Sequence, residues 1–168
     1  HTTALIDIGA SKTSLNIIKN NVPVFMRDVS LGCGQIDQQI VSQCECSIED
    51  ARKIKLDRQS EKITAEEIDE IESVVIKNWC TEIRRAIDFF YSTYPDDSFN
   101  QVILSGGGAN IEEFRKLLAL ETSSEVEVIN PFINVQINRG RFDSDYIDSI
   151  APQAAVCVGL ALRRADDK

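Results

Sequence analysis

The sequence has a single histidine, His1, and no CxxC pair or other zinc-ligand spacing among its cysteines. This leaves little for histidine-based general acid–base chemistry or a thiolate metal site. Cys33, Cys44, Cys46, Cys80 and Cys157 are scattered and odd in number, as expected for reduced, partly buried thiols of a cytoplasmic protein. Long apolar runs are also missing. The longest, near 154–162, is too short to cross a bilayer, so direct membrane insertion is not expected. No secretory leader is visible. Positive charge is in deficit, with 18 Lys and Arg against 27 Asp and Glu and a net charge of −9. A nucleic-acid partner needs a basic face and is therefore not expected. A nucleotide is compatible with this balance, because backbone N–H groups can hold phosphates without net positive charge. Low-complexity tracts and short internal repeats are absent. The 168 residues suffice for one core, or one core with a small insertion, and the chain opens almost directly on a strand, as expected of part of a longer protein.

What is present is organised around Val102-Ile103-Leu104-Ser105-Gly106-Gly107-Gly108-Ala109-Asn110. A short apolar run stops at three glycines, and a helix is expected to start at once. Asn110 with Glu113 has the spacing of a capping box, and Phe114, Leu117 and Leu118 form an apolar stripe behind it. Glycines admit positive φ and close approach of a ligand to the backbone, and a helix N-terminus adds unpaired N–H groups. Two readings stand: a ligand-binding turn, or a tight strand-to-helix turn with no ligand.

The rest of the chain falls into a recognisable order. Residues 4–8, 14–18 and 22–29 read as strands joined by short turns, hence an antiparallel meander. Asp7 is the odd member of the first strand. It either caps the Gly9 turn or faces a metal–phosphate group across a cleft. After Leu31-Gly32-Cys33-Gly34, the positions Ile36, Ile40, Val41 and Cys44 have helical spacing. Ser47 caps a second helix, 48–56, whose basic face carries Arg52, Lys53 and Lys55. Thr64 and Glu67 form a capping box for one long helix, 65–94, ended by Pro95. Its aromatic group, Phe89, Phe90 and Tyr91, is expected to pack in the core. A half-buried strand follows at 125–129, then a loop over 133–147, then a last helix over 153–164 opened by Ser149 and Pro152.

Meander, helices, then strand–helix units is an α/β order, and the motifs give it a family. Asp7-Ile8-Gly9-Ala10-Ser11-Lys12-Thr13 resembles the second phosphate-binding turn of the actin-like ATPases (ribonuclease H-like fold), and Ile103-Leu104-Ser105-Gly106-Gly107-Gly108-Ala109 resembles their adenosine-binding turn. Ala154-Ala155-Val156-Cys157-Val158-Gly159 is similar to their second connecting helix. With Leu31-Gly32-Cys33-Gly34, residues 83–90, Asn130-Pro131-Phe132 and Gly159-Leu160-Ala161-Leu162-Arg163, the chain most resembles the C-terminal half of the PilM family of type IV pilus assembly. The cell-division protein FtsA is the next resemblance.

The resemblance implies half of an actin-like fold: a mixed sheet, with a core at 1–33 and 80–168 and a small helical insertion at 34–79. It implies an ATP- or ADP-binding cytoplasmic scaffold, held at the inner face of the inner membrane through partners. Those partners would be the other half of the fold, a PilN-type cytoplasmic tail seated mainly on that other half, and other pilus platform or motor proteins. It implies that Gly9, Ala10, Ser11, Lys12 and Thr13 line the phosphates, and that Asp7 meets Mg²⁺ through water. Gly106, Gly107, Gly108 and Ala109 would lie against the adenosine, joined by Arg52 and Lys55 from Ala51-Arg52-Lys53-Ile54-Lys55. Arg52 stands where many actin-like relatives carry glutamate. No catalytic residue is implied in this half. An FtsA-like filament subunit and half of a sugar- or acetate-kinase-type phosphotransferase are the alternatives.

Overall fold

Asn20 and Asn21 both take positive φ, 51° and 65°, the conformation that a two-residue hairpin turn requires. They join β2 (Thr13–Lys19) to β3 (Val22–Val29), and β2 also pairs antiparallel with β1 (Thr2–Ile8). The expected meander is therefore present. The computed structural model describes residues 2–138 and 140–164, so positions 1, 139 and 165–168 of the expected core lie outside the described residues. β4 (Gln101–Ser105) returns beside β1 in parallel, and β5 (Glu125–Val128) adds parallel to β4. The sheet order is β3-β2-β1-β4-β5.

Between the meander and β4 run α1 (Gly34–Cys44), α2 (Ile48–Asp57) and α3 (Ala65–Thr93). Thr64 and Glu67 form the expected box: the Thr64 amide donates to Glu67 Oε2 at 2.8 Å, and the Glu67 amide to Thr64 Oγ1 at 3.2 Å. α3 runs unbroken through residues 79 and 80, where the sequence reading divides core from insertion. Alternation along the strands puts Ala4, Ile6, Ile8, Leu15, Ile17, Val102 and Leu104 into one buried cluster. Helix residues Ile36, Ile40, Ala51, Ile54, Ile76, Trp79, Ile83 and Phe90 join the same cluster. Trp79 is fully buried and still satisfied, its indole N–H donating to Gln35 Oε1 at 2.7 Å.

Four local expectations need correction. Asn110 caps nothing: Gly107–Asn110 is a 3-10 turn, and α4 (Glu112–Thr122) starts behind Ile111 without a side-chain cap. The Asn110 amide instead donates to the Ser149 carbonyl at 2.8 Å, tying the glycine turn to the C-terminal segment. The stretch 133–147 is not all loop. Asp143 accepts from the Tyr146 amide and opens α5 (Ser144–Ile150). The last helix does not begin at Gln153: Pro152 lies in a 3-10 turn, Ala151–Ala154, and α6 covers only Ala155–Leu162. Phe89 is not core. It is 54 % exposed, with the Arg27 guanidinium 5.3 Å from its ring centroid, while Phe90 is fully buried.

Candidate functional site

β1 and β4 are parallel neighbours, and both glycine turns follow their C-terminal ends. That edge is where open α/β sheets form a ligand crevice. The first turn is closed by the Gly9 amide donating to the Lys12 carbonyl at 3.0 Å. It is pinned from outside: the Cys33 amide donates to Gly9 O at 3.0 Å and the Gly34 amide to Ala10 O at 2.7 Å. A Cβ on Gly32 would stand 2.5 Å from Gly9 O, so glycine is what lets the two backbones meet. Ala10, Ser11 and Lys12 are exposed and leave their outer faces to solvent.

Thr13 differs from its turn neighbours. It is fully buried, and its hydroxyl donates to the Leu31 carbonyl at 3.1 Å, so the side chain points into the protein. Lys12 is held by Asp28 at 3.0 Å. The Ser14 hydroxyl, and after it Lys12, hold the Asp28 carboxyl below its usual range by stabilising the charged form. Asp7 does not close the Gly9 turn. Its Oδ2 accepts from Ser105 Oγ at 2.6 Å, across the two parallel strands.

The second turn sits on top of the first strand. Gly106 has φ +83°, and its amide donates to Pro152 O at 2.9 Å. A Cβ there would lie 2.3 Å from Ile8 O, and one on Gly108 would lie 2.5 Å from Ile8 Cγ2 and 3.2 Å from Cys33 Sγ. Gly106, Gly108 and Ala109 are buried, so they are glycine or alanine for packing reasons. Of the three glycines Gly107 alone is exposed, and a Cβ on it would meet only Gln153 Cδ, at 4.0 Å. Of the adenosine candidates on this turn, Gly107 presents open backbone.

The basic face of α2 is not simply solvated. Arg52 Nε lies 3.5 Å from Asp37 Oδ2, and Lys55 Nζ pairs with Asp37 Oδ1. Asp37, in the first turn of α1, is 5 % exposed. The Cys33 thiol lies beside Gly108 and within electrostatic reach of Lys55 and Asp37. Burial pushes its pKa up, the Lys55 charge pulls it down, and Asp37 adds to the rise. Both glycine turns, Cys33 and the Asp37–Lys55–Arg52 cluster are thus linked by contact or close electrostatics. Sequence reasoning missed Asp37. The available signal was its place beside Ile36 and one turn before Ile40, on the apolar side of α1.

The sheet order, the helices behind it and the two turns define one half of an actin-like protein. MreB 5 of Spiroplasma citri bound to AMPPNP has the same fold at TM-score 0.67 and 14 % identity, over 96 % of this chain and 52 % of that one. The ethanolamine utilization protein EutJ from Carboxydothermus hydrogenoformans shares it at TM-score 0.66 and 19 % identity, over 95 % and 48 % of the two chains. The profile described as type IV pilus assembly protein PilM matches residues 1–165, and the chain belongs to that family. In a PilM–PilN type IV pilus biogenesis complex, a chain 27 % identical superposes at TM-score 0.81, over 97 % of this chain and 46 % of that one. This chain thus spans about half the length of the solved chains it matches. Among the described residues, no helix is long and apolar enough to cross a membrane.

Proposed function

We propose that this chain forms one wall of a nucleotide cleft in a PilM-type scaffold of the type IV pilus assembly platform, binding ATP or ADP with Mg²⁺. The observation that carries the reading is the placement of two glycine turns at the adjacent C-terminal ends of β1 and β4. The residues present fit a nucleotide. The exposed outer face of Ala10-Ser11-Lys12 suits phosphates, the open backbone of Gly107 suits adenosine, and Lys55 and Arg52 are cations within the same linked cluster. Mg²⁺ would sit on the phosphates and reach Asp7 through water, since it dehydrates reluctantly. When bound, the nucleotide supplies a polyphosphate charge that ties the two halves of the fold together.

In this reading residues 1–33 and 80–168 form the core and 34–79 the insertion. The other half of the fold closes the cleft, and a PilN-type cytoplasmic tail docks mainly on that half. The location follows: cytoplasmic, at the inner face of the inner membrane through partners. Support for a covering half comes from α6, where Val156, Leu160 and Leu162 are 60 %, 62 % and 71 % exposed on an apolar helix. The test is titration of the longest natural protein containing this chain with a fluorescent ATP analogue, with and without Mg²⁺. Saturable binding, competed by ADP, is expected; no binding at millimolar nucleotide would sink the proposal.

A further inference from the structure

Resting on the nucleotide reading above, we infer that Asp37 is a positioning residue of the site: its buried carboxylate sets Lys55 and Arg52 for the nucleoside. A carboxylate only 5 % exposed is costly without partners, and the two cations at its oxygens supply them. The constraint works in the other direction as well. Lysine is a point charge on a flexible stem, and an ammonium with a fixed acceptor loses less freedom on meeting a ligand. The Lys55 side chain is 23 % exposed and is anchored in this way. Arg52 is 61 % exposed and touches Asp37 through Nε, which leaves its two terminal nitrogens for a ligand.

The position of Asp37 couples it to both turns. α1 begins at Gly34, whose amide is bonded to the phosphate-side turn at Ala10 O. Cys33, just before it, lies against Gly108 and feels both Asp37 and Lys55. Two cations against one carboxylate leave one net positive charge, placed locally in a chain of net charge −9. Arg52 occupies the helix position where a carboxylate contact was expected. The carboxylate comes from α1 instead and acts through the cations.

A mere tie between α1 and α2 would also hold these residues together, so the test must separate ligand classes. The longest natural protein containing this chain is titrated by calorimetry with ADP and, separately, with pyrophosphate, which lacks the nucleoside. Asp37→Asn is expected to weaken ADP roughly tenfold, the scale of one charge-assisted hydrogen bond, and to leave pyrophosphate unchanged. In a Lys55→Met background the same change should add little, because the positioned group is gone. Asp37→Glu should fall between wild type and Asp37→Asn. Equal loss of ADP and pyrophosphate with a lowered melting temperature would reduce Asp37 to a structural tie and overturn the inference, as would unchanged ADP affinity. Should Asp37→Asn fail to fold, Asp37→Glu decides: wild-type ADP affinity there overturns it. Wild-type protein that binds neither ligand overturns the nucleotide reading itself, and this inference with it.

Discussion

Ser105 Oγ donates a 2.6 Å hydrogen bond to Asp7 Oδ2, between residues that are register partners of the parallel strands β1 and β4. The bond explains how a carboxylate is tolerated at the end of an apolar strand, and it locks together the two strands that carry the glycine turns. It also leaves Asp7 Oδ1 as the oxygen available to a metal-bound water. Ser105→Ala is expected to destabilise the protein by about 1–2 kcal/mol, the cost of stripping a partly buried acceptor of its donor. Asp7→Asn keeps an oxygen for Ser105 and should fold, while Mg²⁺ should no longer strengthen nucleotide binding. Urea unfolding measures the first effect and Mg²⁺-dependent titration the second. An unchanged urea midpoint for Ser105→Ala would show that the bond is incidental.

The triple glycine separates into packing and binding roles. Gly106→Ala forces a side chain into a positive-φ position 2.3 Å from Ile8 O. Strain and overpacking of that kind cost roughly 1–3 kcal/mol each, and the variant should melt at much lower temperature. At Gly107 an added Cβ meets nothing closer than Gln153 Cδ at 4.0 Å and φ is not positive, so Gly107→Val should fold. It should nevertheless bind nucleotide more weakly, because the branched side chain fills the one open backbone position on the turn. Thermal melting beside a fluorescent ATP titration distinguishes the two. Wild-type affinity in Gly107→Val would remove the adenosine assignment.

Where the sequence was legible, a local signal agreed with the tertiary one. Residues 22–29 were bounded as a strand by the Asn20-Asn21 turn and observed as such, and Thr64 with Glu67 made the box they spelled. Asn110 and Glu113 spelled a box equally well, yet Asn110 reaches the Ser149 carbonyl instead. A contact to a residue 39 positions away outcompeted the local cap, and no local pattern encodes it. α5 was missed because its cap, Asp143, sits in a polar stretch, and the helix it opens has no buried residue to show a period. Lys55 and Arg52 were legible as a basic face and as adenosine candidates, but their partner Asp37 was not, because it lies on a different helix. The glycine turns were legible as turns. That Gly106 and Gly108 serve packing while Gly107 is open depends on the position of Ile8 in three dimensions.

Cysteine chemistry supplies a pH test. Burial pushes the Cys80 thiol up from 9.0 to about 12, with Glu121 adding to the shift. The unfolded chain therefore ionises this thiol first, and the stability it retains below pH 9 is lost as pH rises toward 12. Cys80→Ser is expected to flatten that alkaline decline, measured as denaturant midpoints across the same range. Exposed Cys157 should react rapidly with a thiol reagent at pH 8, while Cys80 and Cys44, also raised by burial, react only on unfolding. Mass mapping of the labelled sites checks the order. Rapid labelling of Cys80 in the native protein would mean that α3 opens far more readily than its packing suggests.

The chain by itself is expected to bind ATP weakly or not at all and to release no phosphate. In the proposed reading its two turns and the α2 cations line one side of a cleft, and the matching chain of the PilM–PilN complex is about twice as long, with 46 % of it covered here. Phosphates held from one side stay largely in water, where each hydrogen bond competes with solvent and contributes about 0.5–1.5 kcal/mol net. Lys12, the one cation on the phosphate-side turn, is already shared with Asp28 at 3.0 Å, which weakens its pull further. Phosphoryl transfer depends on fixed charges around the γ-phosphate and on an oriented water, and a half-open site lets both reorganise. Asp7, already bonded to Ser105, offers a single carboxylate to Mg²⁺, which binds well only when substrate phosphates complete its shell. Calorimetry with Mg-ATP and a phosphate-release assay on the purified chain are the measurements. Micromolar affinity or steady turnover would mean that a complete site lies within these residues and that the one-sided cleft is the wrong description of it.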